Sequence, residues 1–226
     1  MKKTLTILFA LTLLLGAVET SKADPITYSG SLIGGVGGGI IATGPWDSSD
    51  TIFSWIVTSI PGGWEYGYTF TVPTKGISHL IIEVSPDTTQ NDFSAGAGEW
   101  DIYSSTSHGN SNPGMPGEMT GLKINVTVDD VYELYFSFTS PRAPVWGDFY
   151  AKDGKDGQPP NQIWVTAWNV GFGNPDTDPT VGPHDGSEQY HILRPDTVTV
   201  PEPGILILLG IGIVAVEIAS RRMRKI

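Results

Sequence analysis

Between residues 24 and 200, apolar side chains recur at every second position, and no stretch repeats at the three-to-four spacing of a helix. Trp64, Tyr66, Tyr68, Phe70 and Val72 alternate with Glu65, Gly67, Thr69 and Thr71, so the aromatic residues share one face. Leu122, Ile124, Val126 and Val128 repeat the pattern, and Tyr132, Leu134, Phe136 and Phe138 form a third apolar face. The same reasoning predicts strands at 52–58, 77–84, 100–104, 145–150, 162–169, 190–193 and 196–200. About ten short strands, each with one apolar face, must bury that face against a second sheet. The expected fold is all-β: an antiparallel β-sandwich, jelly-roll-like in organisation.

Gly, Pro, Asn and Asp punctuate these runs. Residues 110–121, 151–162 and 173–189 read as loops, the last two rich in acids. The Gly-rich stretch 30–44 lacks G-x-G-x-x-G, so phosphate binding is unsupported; its apolar residues suggest a flexible or edge strand. No internal repeat or second domain boundary appears, and residues 24–199 are expected to form one exported domain.

Two segments break the alternation. The first, residues 1–23, has Lys2 and Lys3, an apolar run at 5–18, and small residues Ser21 and Ala23 at the −3 and −1 positions before Asp24. These are the parts of a secretory signal peptide, with cleavage expected between Ala23 and Asp24. The second is residues 200–226. An apolar span at about 204–220 carries one charge, Glu217. At ~1.5 Å per residue it reaches roughly 25 Å, enough for a short transmembrane helix. Pro203 suits a helix start, and Glu217 lies four residues before Arg221, within reach of an ion pair. Arg221, Arg222, Arg224 and Lys225 form a membrane stop that the positive-inside rule keeps in the cytoplasm, which puts the domain on the other side.

The order Val200, Pro201, Glu202, Pro203, then the apolar span, then the basic cluster, resembles the PEP-CTERM sorting signal of Gram-negative bacteria. Glu217 departs from the family pattern, whose span is usually uncharged. The run of aromatics, Gly and Asp from Trp146 to Thr197 is also similar to the domain ends of other PEP-CTERM proteins. The resemblance implies recognition of Pro201, Glu202 and Pro203 by exosortase, a membrane-embedded cysteine transpeptidase, and cleavage nearby. The two prolines fix φ and remove two N–H donors, so Glu202 stands in an extended, accessible strip.

Charge and composition limit the chemistry. The span 24–200 holds 6 Lys/Arg against 21 Asp/Glu, a net charge of −15, which makes nucleic acid and anionic lipid poor partners. The absence of cysteine excludes disulfides, thiolate catalysis, cysteine-ligated zinc and iron–sulfur clusters. There is no G-x-S-x-G or H-E-x-x-H among the motifs, and His184 and His191 are seven apart. His79 fits strand alternation. Asp153 with Asp156, and Asp176 with Asp178, are weak calcium candidates, too few for an EF-hand loop. Trp164 and Trp168 share strand parity and are candidate glycan contacts, with Trp146, Asp148 and Asn169 as neighbours in sequence.

The sequence thus leads to a non-enzymatic protein with no required cofactor. Signal peptidase and the Sec machinery export it, its C-terminal helix holds it transiently in the inner membrane, and exosortase-type processing sorts it to the cell surface or beyond. Association with exopolysaccharide or biofilm is the expected destination. The alternatives are a glycan-binding jelly-roll module and, third, a secreted hydrolase.

Overall fold

The computed structural model describes residues 24–95, 99–105, 112–173 and 189–199. The expected signal peptide, the Ala23 side of its expected cleavage site, Asp176, Asp178, Pro201, Glu202, Pro203 and the expected membrane span with its basic end lie outside those residues. Among the described residues no helix is long and apolar enough to cross a membrane.

The strands are β1 (Thr27–Ile33), β2 (Ile40–Ala42), β3 (Ile52–Ile60), β4 (Gly63–Thr71), β5 (His79–Glu83), β6 (Ser94–Ala95), β7 (Glu99–Ser105), β8 (Met119–Asn125), β9 (Glu133–Ser140), β10 (Arg142–Gly147), β11 (Phe149–Asp156), β12 (Ile163–Asn169) and β13 (Ile192–Thr199). They form a five-stranded sheet, β1-β3-β4-β9-β6, a six-stranded sheet, β2-β12-β11-β5-β8-β7, and a two-stranded ribbon, β10-β13. All strand pairings are antiparallel. The chain crosses repeatedly between the sheets, while β3–β4, β7–β8 and β11–β12 pair as neighbours within one sheet.

The apolar faces meet where alternation says they should. Tyr66, Tyr68 and Phe70 of β4 are buried, and so are Leu80 and Ile82 of β5, Phe149 and Ala151 of β11, and Val165 and Ala167 of β12. Phe53 of the smaller sheet stacks on Phe149 of the larger one with ring centroids 4.4 Å apart. Tyr66 stacks on Phe138 at 5.1 Å, and Phe93 meets Phe138 edge-on. Such aromatic pairs add about 0.5–1.5 kcal/mol each beyond the area they bury. Buried hydroxyls find acceptors: Tyr66 Oη donates to the Arg142 carbonyl at 2.7 Å and Tyr68 Oη to the Leu193 carbonyl at 2.9 Å. Both bonds stitch the five-stranded sheet to the ribbon.

Three local readings change. The stretch predicted as a strand at 145–150 divides at Asp148 into the end of β10 and the start of β11. The separate strands expected at 190–193 and 196–200 are one strand, β13. Pro195 does not break it, because it pairs opposite Pro144 in a ribbon with few ladder bonds to lose and a register shift between Arg142 and Pro144. The expected loop at 151–162 is strand as far as Asp156; a bulge between Lys152 and Lys155 accommodates Asp153 and Gly154. The Gly-rich stretch supplies two edge strands, β1 beside β3 and β2 beside β12.

The segment 112–118, expected to have little to fold, packs on the outer face of the six-stranded sheet. Met115, with Met119, Ile81 and Tyr150, makes a small second core there, flanked by Trp168 and Phe172. Tyr150 Oη donates to the Pro113 carbonyl at 2.7 Å, and His79 Nε2 lies 2.8 Å from Asn112 Oδ1. These contacts position one wall of the groove described next.

Candidate functional site

On β12 the core-facing residues are Val165 and Ala167, so Trp164, Thr166 and Trp168 point outward. With Thr43, Gly44, Gln162 and Ile163 on one side and Pro113 and Gly114 on the other, they line an open groove of about 490 Å³. Thr43 fixes its floor: its hydroxyl donates to the Trp164 carbonyl at 2.7 Å and accepts from the Thr166 amide at 2.9 Å. Trp164 is 37% exposed and Trp168 is half-buried. The two candidate glycan contacts therefore stand on one wall, as their parity requires. Trp146, Asp148 and Asn169 do not join them; all three are buried.

Lysines gather beside the groove. Lys152 Nζ and Lys155 Nζ lie 5.3 and 4.9 Å from the centre of the Trp164 ring. At a partly exposed site each such contact is worth about 0.5–1 kcal/mol. Lys123 projects from β8 on the same face, since Leu122 and Ile124 turn inward. The Lys152 ammonium is held below the ordinary lysine range, first by burial and then by Lys123, with Asp153 opposing. His79, between these lysines, is lowered to about 4, chiefly by burial and next by Lys123.

A second polar cluster lies inside the sandwich, where the chain leaves the ribbon for the six-stranded sheet. Asp148 Oδ1 accepts from Asn169 Nδ2 at 2.7 Å and from His191 Nδ1 at 3.0 Å, and Asp148 Oδ2 accepts from the Gly173 amide at 2.8 Å. The Asp148 amide donates to Glu83 Oε2, which also lies 3.5 Å from Arg194 Nε. Arg194 Nη1 donates to Ser85 Oγ at 3.0 Å. An aspartate–histidine pair is common in hydrolases, but this one is wholly buried and its hydrogen bonds join strands. It pins β13 to β5, β11 and β12.

Asp153 and Asp156 lie in β11 and not in a loop, and Asp156 pairs with Lys75 at 3.4 Å. Among the described residues no three acidic or imidazole side chains converge as a metal site would need. Asp24 is exposed at the start of the described chain.

The other functional segment begins where β13 ends. The ladder with β10 closes at Arg142 opposite Thr199, two residues before Pro201. Arg142 is itself buried and held by Asp87 and Asp92, each at 3.2 Å. Burial, the largest influence on Asp92, would raise its carboxyl; the Thr89 amide and the Arg142 guanidinium outweigh it and hold the group below its usual range. Residues 199–225 match the family model described as the PEP-CTERM protein-sorting motif. The chain carries a PEP-CTERM motif. Searches of curated proteins and of solved structures gave no match. The PEP-CTERM match covers the tail and does not extend into the sandwich. It supports a secreted protein that exosortase processes at the membrane.

Reading the sequence found both tryptophans and the PEP-CTERM residues. It missed Thr43, Gly44, Pro113, Gly114 and the three lysines. Cation scarcity was the available signal for the lysines: three of the six Lys/Arg in the domain, Lys123, Lys152 and Lys155, lie on this one face.

Proposed function

We propose that this chain is an exported, non-enzymatic surface or matrix protein. Signal peptidase releases it after Ala23, the helix near 204–220 holds it in the inner membrane, and exosortase acts at Pro201, Glu202 and Pro203. The observation that carries this reading is the sorting motif at 199–225, set directly against the last strand of a folded domain. With β13 pinned by the Glu83, Asp148 and Arg194 network, removal of the tail leaves the sandwich intact. Glu217, a charge within that apolar span, favours a transient hold. The burial of Asp148 and His191 in structural hydrogen bonds supports a role other than catalysis.

A glycan-binding role for the domain is the second reading, and it is favoured by the groove under Trp164 and Trp168. Repeated crossing of the chain between sheets supports a jelly-roll-like reading of the sandwich. Aromatic rings on a sheet face offer flat apolar surfaces to pyranose rings, and Gln162 lies beside them to meet hydroxyls. The destination is then the exopolysaccharide outside the cell. Cell fractionation tests the sorting claim: wild type reaches the matrix fraction, whereas a Pro201→Ala, Glu202→Ala, Pro203→Ala variant stays in the membrane. Equal distribution of the two proteins would refute it.

A further inference from the structure

The domain is strongly acidic, yet half of its few cations stand on one sheet face, and two of them border a groove walled by tryptophan. We infer that this face binds an acidic polysaccharide, with sugar rings packed along Trp164 and Trp168 and ring carboxylates met by Lys152 and Lys155. The inference rests on the reading of the groove as a glycan site and adds the class of glycan.

Three observations carry it. Lys155 stands opposite Trp164 in the β11–β12 register and Lys152 opposite Thr166, so both ammonium groups follow the line of the groove. The bulge between them brings both over one ring; in a regular strand, positions 152 and 155 would face opposite ways. Burial and the nearness of Lys123 already disfavour the charged form of Lys152, a strain that a bound carboxylate would relieve.

The remaining acids offset this patch only in part. Asp156 is engaged by Lys75, and Asp153 lies beside Lys152. Asp101, on β7 opposite Lys123, is four strands from the groove strand β12. Beyond about 8 Å at physiological salt the other acids are screened, so local lysines decide the encounter. The acidic surface elsewhere confines an anionic chain to this face. A neutral glucan would use the tryptophans alone.

Affinity electrophoresis of the full-length protein in detergent tests this, using polygalacturonate, neutral dextran and polyglutamate as probes. Expected is retardation by polygalacturonate, little by dextran and little by polyglutamate. Lys152→Gln with Lys155→Gln should weaken the polygalacturonate interaction roughly tenfold, about the effect of losing a charged hydrogen bond. Lys152→Arg with Lys155→Arg should keep most of it, and Trp164→Ala should weaken it while leaving the circular dichroism unchanged. Equal retardation by dextran and polygalacturonate overturns charge selection and leaves a glycan site. Equal retardation by polyglutamate overturns the role of the sugar rings. No retardation by either polysaccharide overturns the glycan reading itself.

Discussion

The hydroxyl of Tyr68 donates to the carbonyl of Leu193 at 2.9 Å, joining the middle of the five-stranded sheet to the last strand of the domain. The bond is fully buried, and burial holds the phenol well above its ordinary pKa, so the proton stays on the oxygen. Tyr68→Phe removes the donor and keeps the ring. It should cost about 1 kcal/mol, a fall of about 2–4 °C in melting temperature for a domain of this size. Differential scanning calorimetry checks this; an unchanged melting temperature would mean that β13 is held by the polar network alone.

Gly147 is the point where that network passes β10. A Cβ added there would overlap Arg194 Nε and Glu83 Oε2. The glycine is needed for space, not for an unusual backbone angle. Gly147→Ala should destabilise by about 1–3 kcal/mol, the usual cost of overpacking a tight interior. A lower urea midpoint with an unchanged m-value is the expected signature.

His79 gives the domain a dependence on pH. In the unfolded chain its imidazole binds a proton below about pH 6.5, and in the folded one only below about 4. Across that window the unfolded state holds more protons. The stabilisation is whole above pH 6.5 and is lost as pH falls to 4, on the order of 3 kcal/mol in all. Buffered thermal melts of wild type should fall more steeply between pH 6.5 and 4 than those of His79→Gln. Parallel curves would remove His79 as the cause.

Met115 ties the segment 112–118 to the sheet through Tyr150 and Ile81. Met115→Ala should cost about 2–5 kcal/mol if the cavity persists, less if the segment collapses onto it. Because Pro113 and Gly114 wall the groove, the same change should loosen Trp168 and raise its fluorescence quenching by acrylamide. Destabilisation with no change in quenching would separate the segment from the groove.

The sandwich was legible wherever one face of a strand is dry and the other wet. Tyr66, Tyr68 and Phe70 announced β4 because nothing but alternation could bury them together. The pattern failed where the chain breaks local rules for a tertiary reason. Pro195 lies inside β13 because a two-stranded ribbon leaves room for it, and Asp153 and Gly154 lie inside β11 because a bulge absorbs them. Met115 in a Pro- and Gly-rich stretch looked like loop, since the patch it covers is formed by residues more than thirty positions away in either direction. Trp164 and Trp168 were legible from parity alone, whereas Lys152 and Lys155 needed the β11–β12 register and its bulge. Asp148, placed beside the tryptophans by sequence order, is drawn inward by His191, some forty residues later.

Mass spectrometry of the C-terminus of the mature protein, with and without active exosortase, tests the central claim most directly. The account predicts an end near Pro201, Glu202 and Pro203 in the surface form, and an intact Ile226 when exosortase is absent. An intact Ile226 on the surface form in cells with active exosortase would contradict it.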